Sequence, residues 1–177
     1  ASLALTEEDG NWNLTEVASF AETHDGKLLL TAKKCFVLDA PQAAVILFSA
    51  QVEGAARLIA VSACQLPEGA LVRETVIDET RRSYTLEVDA LALPADQLLP
   101  GSDFHSIEHA ALLLLSAEMS GGLAGVLHVI IDYLTTRKQF DQYIGSYQSL
   151  KHPTVQILLS MEAVSYTHLT LPTTYHV

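Results

Sequence analysis

Two shortages, of basic residues and of cysteine, limit what this sequence can do. Ten lysines and arginines stand against 21 acidic residues, which gives a formal net charge of -11. The chain therefore has no basic face of the kind that nucleic acids or anionic membranes require, although an acidic protein can still bind a phosphate locally. Its two cysteines, Cys35 and Cys64, are isolated and lack metal-ligand spacing. We predict two small core residues, no disulfide and no metal site, in a reducing cytoplasmic compartment.

The sequence also lacks an initiator methionine and a secretory signal. Residues 1–10 carry acidic side chains where a signal would have a basic region followed by an apolar run. We therefore expect the chain to begin inside a longer gene product. Near the other end, Val164–Thr173 reads as the translation of a transposase-type sequencing adapter, which predicts that residues 164–177 are a non-native tail. A natural threonine-rich loop or edge strand is the alternative.

Apolar residues are abundant, at 49% of the composition, and suffice for a sizeable core. As far as Leu98 they come in short runs rich in Val, Ile, Leu and Tyr, separated by polar or Gly/Pro-bearing breaks, a pattern typical of antiparallel strands. Asp25-Gly26 predicts a type I′ hairpin turn, because both residue types tolerate positive φ. We expect a small antiparallel β-sandwich or barrel. The predicted strands are Ser19–Thr23, Lys27–Leu38, Ala44–Val52, Ala56–Cys64, Leu71–Ile77 and Tyr84–Leu91.

After Pro100-Gly101 the pattern changes to that of a helix. Ser102 or Asp103 can cap it, and apolar residues then follow at spacings of three and four as far as Arg137. The helix is apolar on almost all sides, so it either spans a membrane or lies in the middle of a helical bundle. Ionisable side chains are costly inside a membrane, and the apolar stretch of the helix carries three of them, Glu118, His128 and Asp132. We therefore favour the bundle and predict no membrane span.

The order of the elements indicates an α+β protein. A second helix is predicted to begin at Tyr147 or Gln148. Since the sheet comes first and the helices follow, the two form separate regions of the chain. We predict a β domain over residues 1–101, the beginning of an α-helical bundle domain over 102–163, and the tail over 164–177.

The segment Tyr133–Phe140, which reads Tyr-Leu-Thr-Thr-Arg-Lys-Gln-Phe, ends the first helix and is the most informative about function. Arg137 and Lys138 would stabilise the carbonyl end of the helix dipole whether or not a ligand binds. Alternatively, a planar guanidinium can grip a pyrophosphate in two places, while the amides of Gln139 and Gln148 donate and accept hydrogen bonds. An aromatic residue at the end of the segment can cover a ring.

This segment resembles the flavin-contacting segment of acyl-CoA dehydrogenases, which carry Tyr-x-x-x-Arg-Lys-Gln-Phe-Gly with a Gln a little further on. Asp141 stands in place of the Gly. Ser146–His152 is similar to the corresponding stretch of the small subunit of pimeloyl-CoA dehydrogenase. The resemblance covers nearly all of residues 1–163. Its other stretches are Ala4–Glu7, Lys27–Val37, Tyr84–Gly101 and Ser116–Gly121.

The resemblance implies an activity, a cofactor and partners. Acyl-CoA dehydrogenases use FAD to oxidise an acyl-CoA to a 2,3-enoyl-CoA and pass electrons to an acceptor protein. They form oligomers in which Arg and Gln of one subunit reach the cofactor of its neighbour, so a homo- or hetero-oligomer is implied. The implied cofactor contacts are Arg137, Gln139, Phe140 and Gln148, with Thr6, Phe36 and Val37 near the flavin ring.

Several positions depart from the family pattern. Asn11–Asn13 replaces a Gly-Ser-Asp whose hydroxyl lies at the acyl-CoA mouth, and Leu38 replaces a Thr that can hydrogen-bond the flavin. The resemblance implies a catalytic Glu that usually lies further downstream in the helical domain, beyond this sequence. In some members it would fall at Ala111, so no catalytic residue is assigned, and Glu118 is interpreted as a helix-packing carboxylate. We expect an inactive fragment of a dehydrogenase. A non-catalytic partner subunit of a heteromeric dehydrogenase is the second hypothesis, and a membrane-anchored β domain is the third.

Overall fold

The computed structural model describes residues 1–78, 80–101 and 103–170, with side chains as far as Ala163. A sheet comes first and two helices follow, which confirms the predicted α+β class. The chain divides into two compact units, Ala1–Glu108 and His109–Val177. The first unit holds the sheet and its hydrophobic core, and the second holds most of the helical sequence.

Seven strands form one sheet in the order β1-β4-β2-β3-β7-β6, with β5 also paired to β4. Six of them lie within a few residues of their predicted positions, whereas β1 was not predicted and β6 ends four residues earlier than expected. The strands are β1 Ser2–Ala4, β2 Phe20–His24, β3 Lys27–Leu38, β4 Val45–Val52, β5 Ala55–Ser62, β6 Leu71–Arg73 and β7 Ser83–Pro94.

The sheet is mixed, where the sequence predicted antiparallel pairing alone. β4 pairs in parallel with β1, placing Ser2 beside Ile46, and with β2, placing Phe20 beside Gln51. Because β5 pairs along the whole of β4, β1 and β2 share the other edge of that strand. Parallel neighbours need a long connection, and here the chain passes through β3 before it returns as β4 beside β1 and β2.

The hairpin between β2 and β3 forms as predicted. Asp25 and Gly26 have φ of 49° and 75°, the positive values that a type I′ turn requires, and His24 pairs with Lys27. Such a turn matches the right-handed twist of the flanking strands. The long strand β3 is thereby placed against both β2 and β7, at the middle of the sheet.

Alternating side chains of the strands build the core. In β3 the residues Leu28, Leu30 and Ala32 point inward, and Val37 rejoins the core beyond a bulge. Each fully buried Leu or Ile contributes about 2 kcal/mol relative to an exposed position. The other buried apolar residues of this cluster are Ala4, Ala21, Ala40, Ile46, Phe48, Ala50, Val52, Ile59, Val61, Ala70, Leu86, Val88 and Leu93.

The helices are α1, Phe104–Thr136, and α2, Gln148–Thr170. Asp103 caps α1, because its carboxylate accepts hydrogen bonds from the N–H of Ser106 at 3.1 Å and from the Ser106 hydroxyl. Those hydrogen bonds lower the pKa of Asp103. Ser102, the alternative cap, lies outside the described residues.

Most of α1 is exposed within this chain. Leu127 is the one buried residue among the described side chains of the second unit. By length and composition alone α1 could cross a membrane, and 6% of its most apolar window is buried inside the chain. α2 extends to Thr170, so the loop and the edge strand proposed for the tail do not describe residues 164–170; residues 171–177 lie outside the described part of the chain.

Candidate functional site

The segment after α1 folds into a short hairpin. Two strands, β8 Lys138–Gln139 and β9 Gln142–Tyr143, pair antiparallel around Phe140 and Asp141. These two turn residues have φ of 51° and 61°. Asp tolerates the left-handed region better than most residues, so the substitution of Asp for the family's Gly leaves the turn intact.

Two contacts brace the hairpin itself, and a third joins it to Tyr147, the residue before α2. The N–H of Ile144 donates to the carbonyl of Arg137 at 2.9 Å, and the Tyr147 hydroxyl donates to the carbonyl of Gln139 at 3.1 Å. The Lys138 ammonium lies 4.6 Å from the centre of the Tyr143 ring, within cation–π range. The carbonyl groups of Arg137 and Gln139 are therefore both hydrogen-bonded to the segment that leads into α2.

Gly145 allows the hairpin to approach the end of α1. A Cβ at this position would lie 2.8 Å from the carbonyl oxygen of Leu134, closer than real Cβ atoms come to such an atom. Only glycine fits there without a shift of the main chain. The sequence interpretation missed this residue, because an isolated Gly in a polar stretch reads as an ordinary turn.

The side chains predicted to bind the cofactor are presented outward by this segment. Arg137, Gln139, Phe140 and Gln148 are all exposed, and Phe140 has 87% of its surface accessible. A planar cation, two amides and an aromatic ring fit the chemistry of FAD, which offers a pyrophosphate, polar ring edges and a flat apolar ring. The residues of the hairpin could thus hold this cofactor.

A second predicted group lies on the first unit, at a bulge in β3. Lys34 pairs with Leu86 and Val37 with Tyr84, so Cys35 and Phe36 together face Thr85. Phe36 has φ of 56°, and its side chain is 58% exposed.

The bulge brings the three predicted ring contacts together. The N–H of Cys35 donates to the carbonyl of Thr6 at 2.9 Å, so Thr6 runs beside Phe36 and Val37. The side chain of Val37 is fully buried in the core. Any contact of Val37 with a ligand therefore has to come from its main chain.

Glu74, which the sequence interpretation missed, lies at the same bulge. Its carboxylate accepts hydrogen bonds from the N–H of Phe36 at 3.2 Å, the Thr85 hydroxyl at 2.7 Å and the Ser83 hydroxyl at 2.6 Å. Burial raises the pKa of Glu74, but these hydrogen bonds outweigh burial and lower the pKa below its ordinary value. A lone Glu at the end of a strand carries no sequence signal for such a role.

A buried ion pair anchors the segment that carries Thr6. Lys34 occupies an inward position of β3, and its Nζ lies 2.7 Å from Glu7 Oε1 and 3.0 Å from Ser49 Oγ. Glu7 also accepts hydrogen bonds from the N–H groups of Ala18 and Ser19 and from the Ser19 hydroxyl. The segment 5–19 is therefore tied to the sheet at both of its ends.

The pair is charged at neutral pH. Burial raises the pKa of Glu7, but hydrogen bonds from Lys34, Ser19 and Ala18 outweigh it and lower the pKa to about 2. Burial lowers the pKa of Lys34, and the attraction of Glu7 opposes that shift. We regard the ionised pair as the state the geometry favours, because the 2.7 Å contact is that of a charge-assisted hydrogen bond.

A cavity of about 470 Å³ opens beside this ion pair. Five of its twelve lining residues are acidic, and Lys33, which pairs with Glu8 at 3.2 Å, is its one basic residue among the described lining residues. The lining comprises Glu7, Glu8, Asp9, Ala18, Ser19, Phe20, Thr31, Ala32, Lys33, Glu87, Val88 and Asp89.

The residues that replace the family's Gly-Ser-Asp form a local network. The side-chain amides of Asn11 and Asn13 donate to the carboxylate of Glu16 at 3.1 Å and 2.8 Å, and Asn13 also accepts from Thr15. Trp12, which stands between them in the sequence, has 78% of its surface accessible. The loop is therefore braced by its own polar side chains and exposes an aromatic residue.

No protein-family model matches the chain. It is similar to the L-prolyl-(peptidyl-carrier protein) dehydrogenase of Serratia sp., with 26% identity over 174 residues that cover 92% of this chain and 45% of that protein. It is also similar to acyl-CoA dehydrogenase fadE12 of Mycobacterium bovis, with 25% identity over 175 residues that cover 91% of this chain and 44% of that protein. The chain thus spans less than half the length of these relatives.

Solved structures share the fold. A probable acyl-CoA dehydrogenase from Mycobacterium abscessus superposes with a TM-score of 0.79 at 15% identity, covering 97% of this chain and 48% of that one. A glutaryl-CoA dehydrogenase from Mycobacterium smegmatis in complex with FADH2 gives 0.72 at 21% identity, covering 96% and 46%. The chain is thus similar in sequence to two named dehydrogenases, and it shares its fold with solved acyl-CoA dehydrogenases.

Proposed function

We propose that this chain is part of an FAD-dependent acyl-CoA dehydrogenase that oxidises an acyl-CoA to a 2,3-enoyl-CoA. The observation that carries the proposal is the hairpin after α1, which presents Arg137, Gln139 and Phe140 outward next to Gln148. The sequence and fold similarity to acyl-CoA dehydrogenases supports it.

The roles of the residues follow from their chemistry. Arg137 would pair with the pyrophosphate of FAD, the amides of Gln139 and Gln148 would hydrogen-bond polar edges, and Phe140 would cover a ring. On the sheet unit, the exposed ring of Phe36 and the main chain of Thr6 would lie near the flavin. FAD, when bound, accepts a hydride from the β-carbon of the substrate.

The reaction also needs a base for the α-proton of the acyl group. Ala111, at the position where some family members carry that base, has no group to accept a proton. We therefore propose that the base lies outside this chain and that the chain alone is inactive.

The finer assignments belong to the same proposal. The Ser146–His152 stretch favours the group that includes the small subunit of pimeloyl-CoA dehydrogenase. We propose a cytoplasmic homo- or hetero-oligomer that passes electrons to an acceptor protein, in which α1 packs in a helical bundle and does not cross a membrane. Residues 164–177 are proposed to be absent from the natural protein.

A non-catalytic partner subunit is the second candidate. Leu38 favours it, because this partly exposed side chain stands where many family members have a Thr that can hydrogen-bond the flavin. Ala111 also favours it, since it leaves the chain without a base. The presence of a Glu at the downstream base position of the full-length gene would separate the two candidates.

The test is the visible absorption spectrum of the full-length protein, expressed without residues 164–177. We expect a flavin spectrum that bleaches when one of a panel of acyl-CoAs is added. The panel includes an aminoacyl group on a carrier protein, because one relative is named as a prolyl-(peptidyl-carrier protein) dehydrogenase. A protein that binds FAD without bleaching, or that binds no FAD, would favour the partner subunit over the dehydrogenase.

A further inference from the structure

Phe36 has a main-chain conformation that its own side chain disfavours. At φ of 56° it lies in the left-handed region, which is uncommon for bulky residues because Cβ crowds the neighbouring carbonyl. Such a conformation persists where the surrounding structure holds it, and residues of this kind cluster at ligand sites. The conformation turns the Phe36 ring outward, where more than half of its surface is accessible.

One side chain holds Phe36 in this conformation. Glu74 directly follows β6, and its Oε1 accepts the Phe36 N–H, which the bulge has removed from the ladder with β7. The same carboxylate is itself fixed by two hydroxyls of β7, those of Ser83 and Thr85. Because Ser83 is buried, its hydrogen bond leaves the carboxylate little freedom to move.

We propose that Glu74 is a positioning residue that holds the Phe36 ring in place for contact with the flavin. The inference rests on the proposed function, since it needs a flavin that binds at Phe36. Glu74 does not touch the flavin in this proposal. It acts through the Phe36 N–H, by linking the end of β6, the strand β7 and the bulge of β3.

Two variants separate positioning from general stability. Glu74→Ala removes all three hydrogen bonds, whereas Glu74→Gln keeps an Oε1 that can accept from Phe36 and Thr85 and an amide that can donate to Ser83. The matched control is Asp78→Ala. Asp78 accepts hydrogen bonds from the hydroxyl and the N–H of Thr80 in the following loop, but none from Phe36.

The experiment measures FAD binding and amide exchange in the full-length protein. FAD affinity is determined by quenching of flavin fluorescence, the folded fraction by far-UV circular dichroism, and the hydrogen exchange rate of the Phe36 amide by NMR. For Glu74→Ala we expect faster exchange at Phe36, an altered absorption spectrum of the bound flavin, and FAD affinity weakened about tenfold, the effect of losing a hydrogen bond to a charged group. Glu74→Gln and Asp78→Ala should stay within about threefold of the wild type, since neither loses the hydrogen bond at Phe36.

The outcomes distinguish this inference from the function on which it rests. If the wild type binds FAD and folded Glu74→Ala binds it equally well, the inference is wrong and the proposed function stands. Equal losses in Glu74→Gln, Glu74→Ala and Asp78→Ala would also overturn it, because they would show loss of stability without positioning. If the wild type binds no FAD, the proposed function fails and the inference fails with it.

Discussion

At the scale of single residues, Lys34 is the least expected feature of the sheet. Its side chain is fully buried at an inward position of β3, following Leu28, Leu30 and Ala32 in alternation. An isolated charge there would be costly, so it needs the ionised Glu7 and the Ser49 hydroxyl beside it.

Glu7 therefore makes stability depend on pH. Its pKa is about 2 in the folded protein against 4.5 ordinarily, so its contribution is fully present above about pH 4.5 and is lost as the pH falls towards 2. We expect Glu7→Gln to lower the free energy of unfolding at pH 7 by about 3 kcal/mol, because it leaves Lys34 buried without a counter-charge. Urea unfolding of the full-length wild type and variant at several pH values measures this. The difference should shrink between pH 4.5 and 2, and a difference independent of pH would contradict the assignment.

The alternation in β3 was visible in the sequence, and it marks Lys34 as an inward residue. Its partner could not be predicted, because Glu7 is far away in the sequence and reaches β3 only through the crossover segment 5–19. Glu74 could not be predicted for a similar reason. Its role depends on the bulge in β3, and no residue type in the sequence indicates a bulge there.

At the scale of elements, strands and turns differed in how far they could be predicted. Apolar runs and Asp25-Gly26 located six strands and one hairpin, because alternation and turn chemistry are local properties. β1 was not predicted because three residues are too few to show a periodic pattern. The parallel pairings of β4 were not predicted because they join segments that are distant in the sequence and leave no local signal. The hairpin at Phe140-Asp141 was not predicted, because neither of its turn residues is Gly.

Asp141 has two opposing effects on that hairpin. It occupies the left-handed region at some cost, and it places a carboxylate four residues after the proposed pyrophosphate ligand Arg137, in the hairpin that follows it. We expect Asp141→Gly to stabilise the full-length protein by up to about 1 kcal/mol, because glycine has no Cβ to strain. We also expect it to tighten FAD binding by about two- to fivefold, since a negative charge is removed near an anionic ligand.

Asp141→Asn is the matched control, because it removes the charge and keeps a side chain that tolerates positive φ. Thermal unfolding and FAD titration of both variants separate the two effects. The charge effect should appear in both variants and the main-chain effect in Asp141→Gly alone. Unchanged FAD affinity in both would argue against a phosphate site at this hairpin.

At the scale of the whole molecule, the two units differ in how far they bury their own apolar side chains. The sheet unit encloses a core of its own, whereas α1 and α2 leave most of their apolar side chains exposed within this chain. Among those on α1 are Leu112, Leu113, Leu114, Leu115, Met119, Leu123, Val126, Val129 and Ile131. The sequence predicted a helix apolar on almost all sides, but periodicity says nothing about what covers it. The chain spans less than half the length of the relatives reported above.

An uncovered helix of this kind should drive association. Contiguous apolar surface well beyond a few hundred Å² is rare on monomeric soluble proteins, so we expect residues 1–163 alone to self-associate in a concentration-dependent way. Sedimentation velocity over a range of concentrations measures this. Replacing Leu113 and Leu114 on α1 by lysine should reduce the association, whereas Val72→Lys, which changes an exposed apolar residue of the sheet unit, should leave it unchanged. A monodisperse wild-type monomer would contradict the predicted architecture, and preferential partitioning of the chain into detergent would favour the membrane alternative for α1 over the bundle.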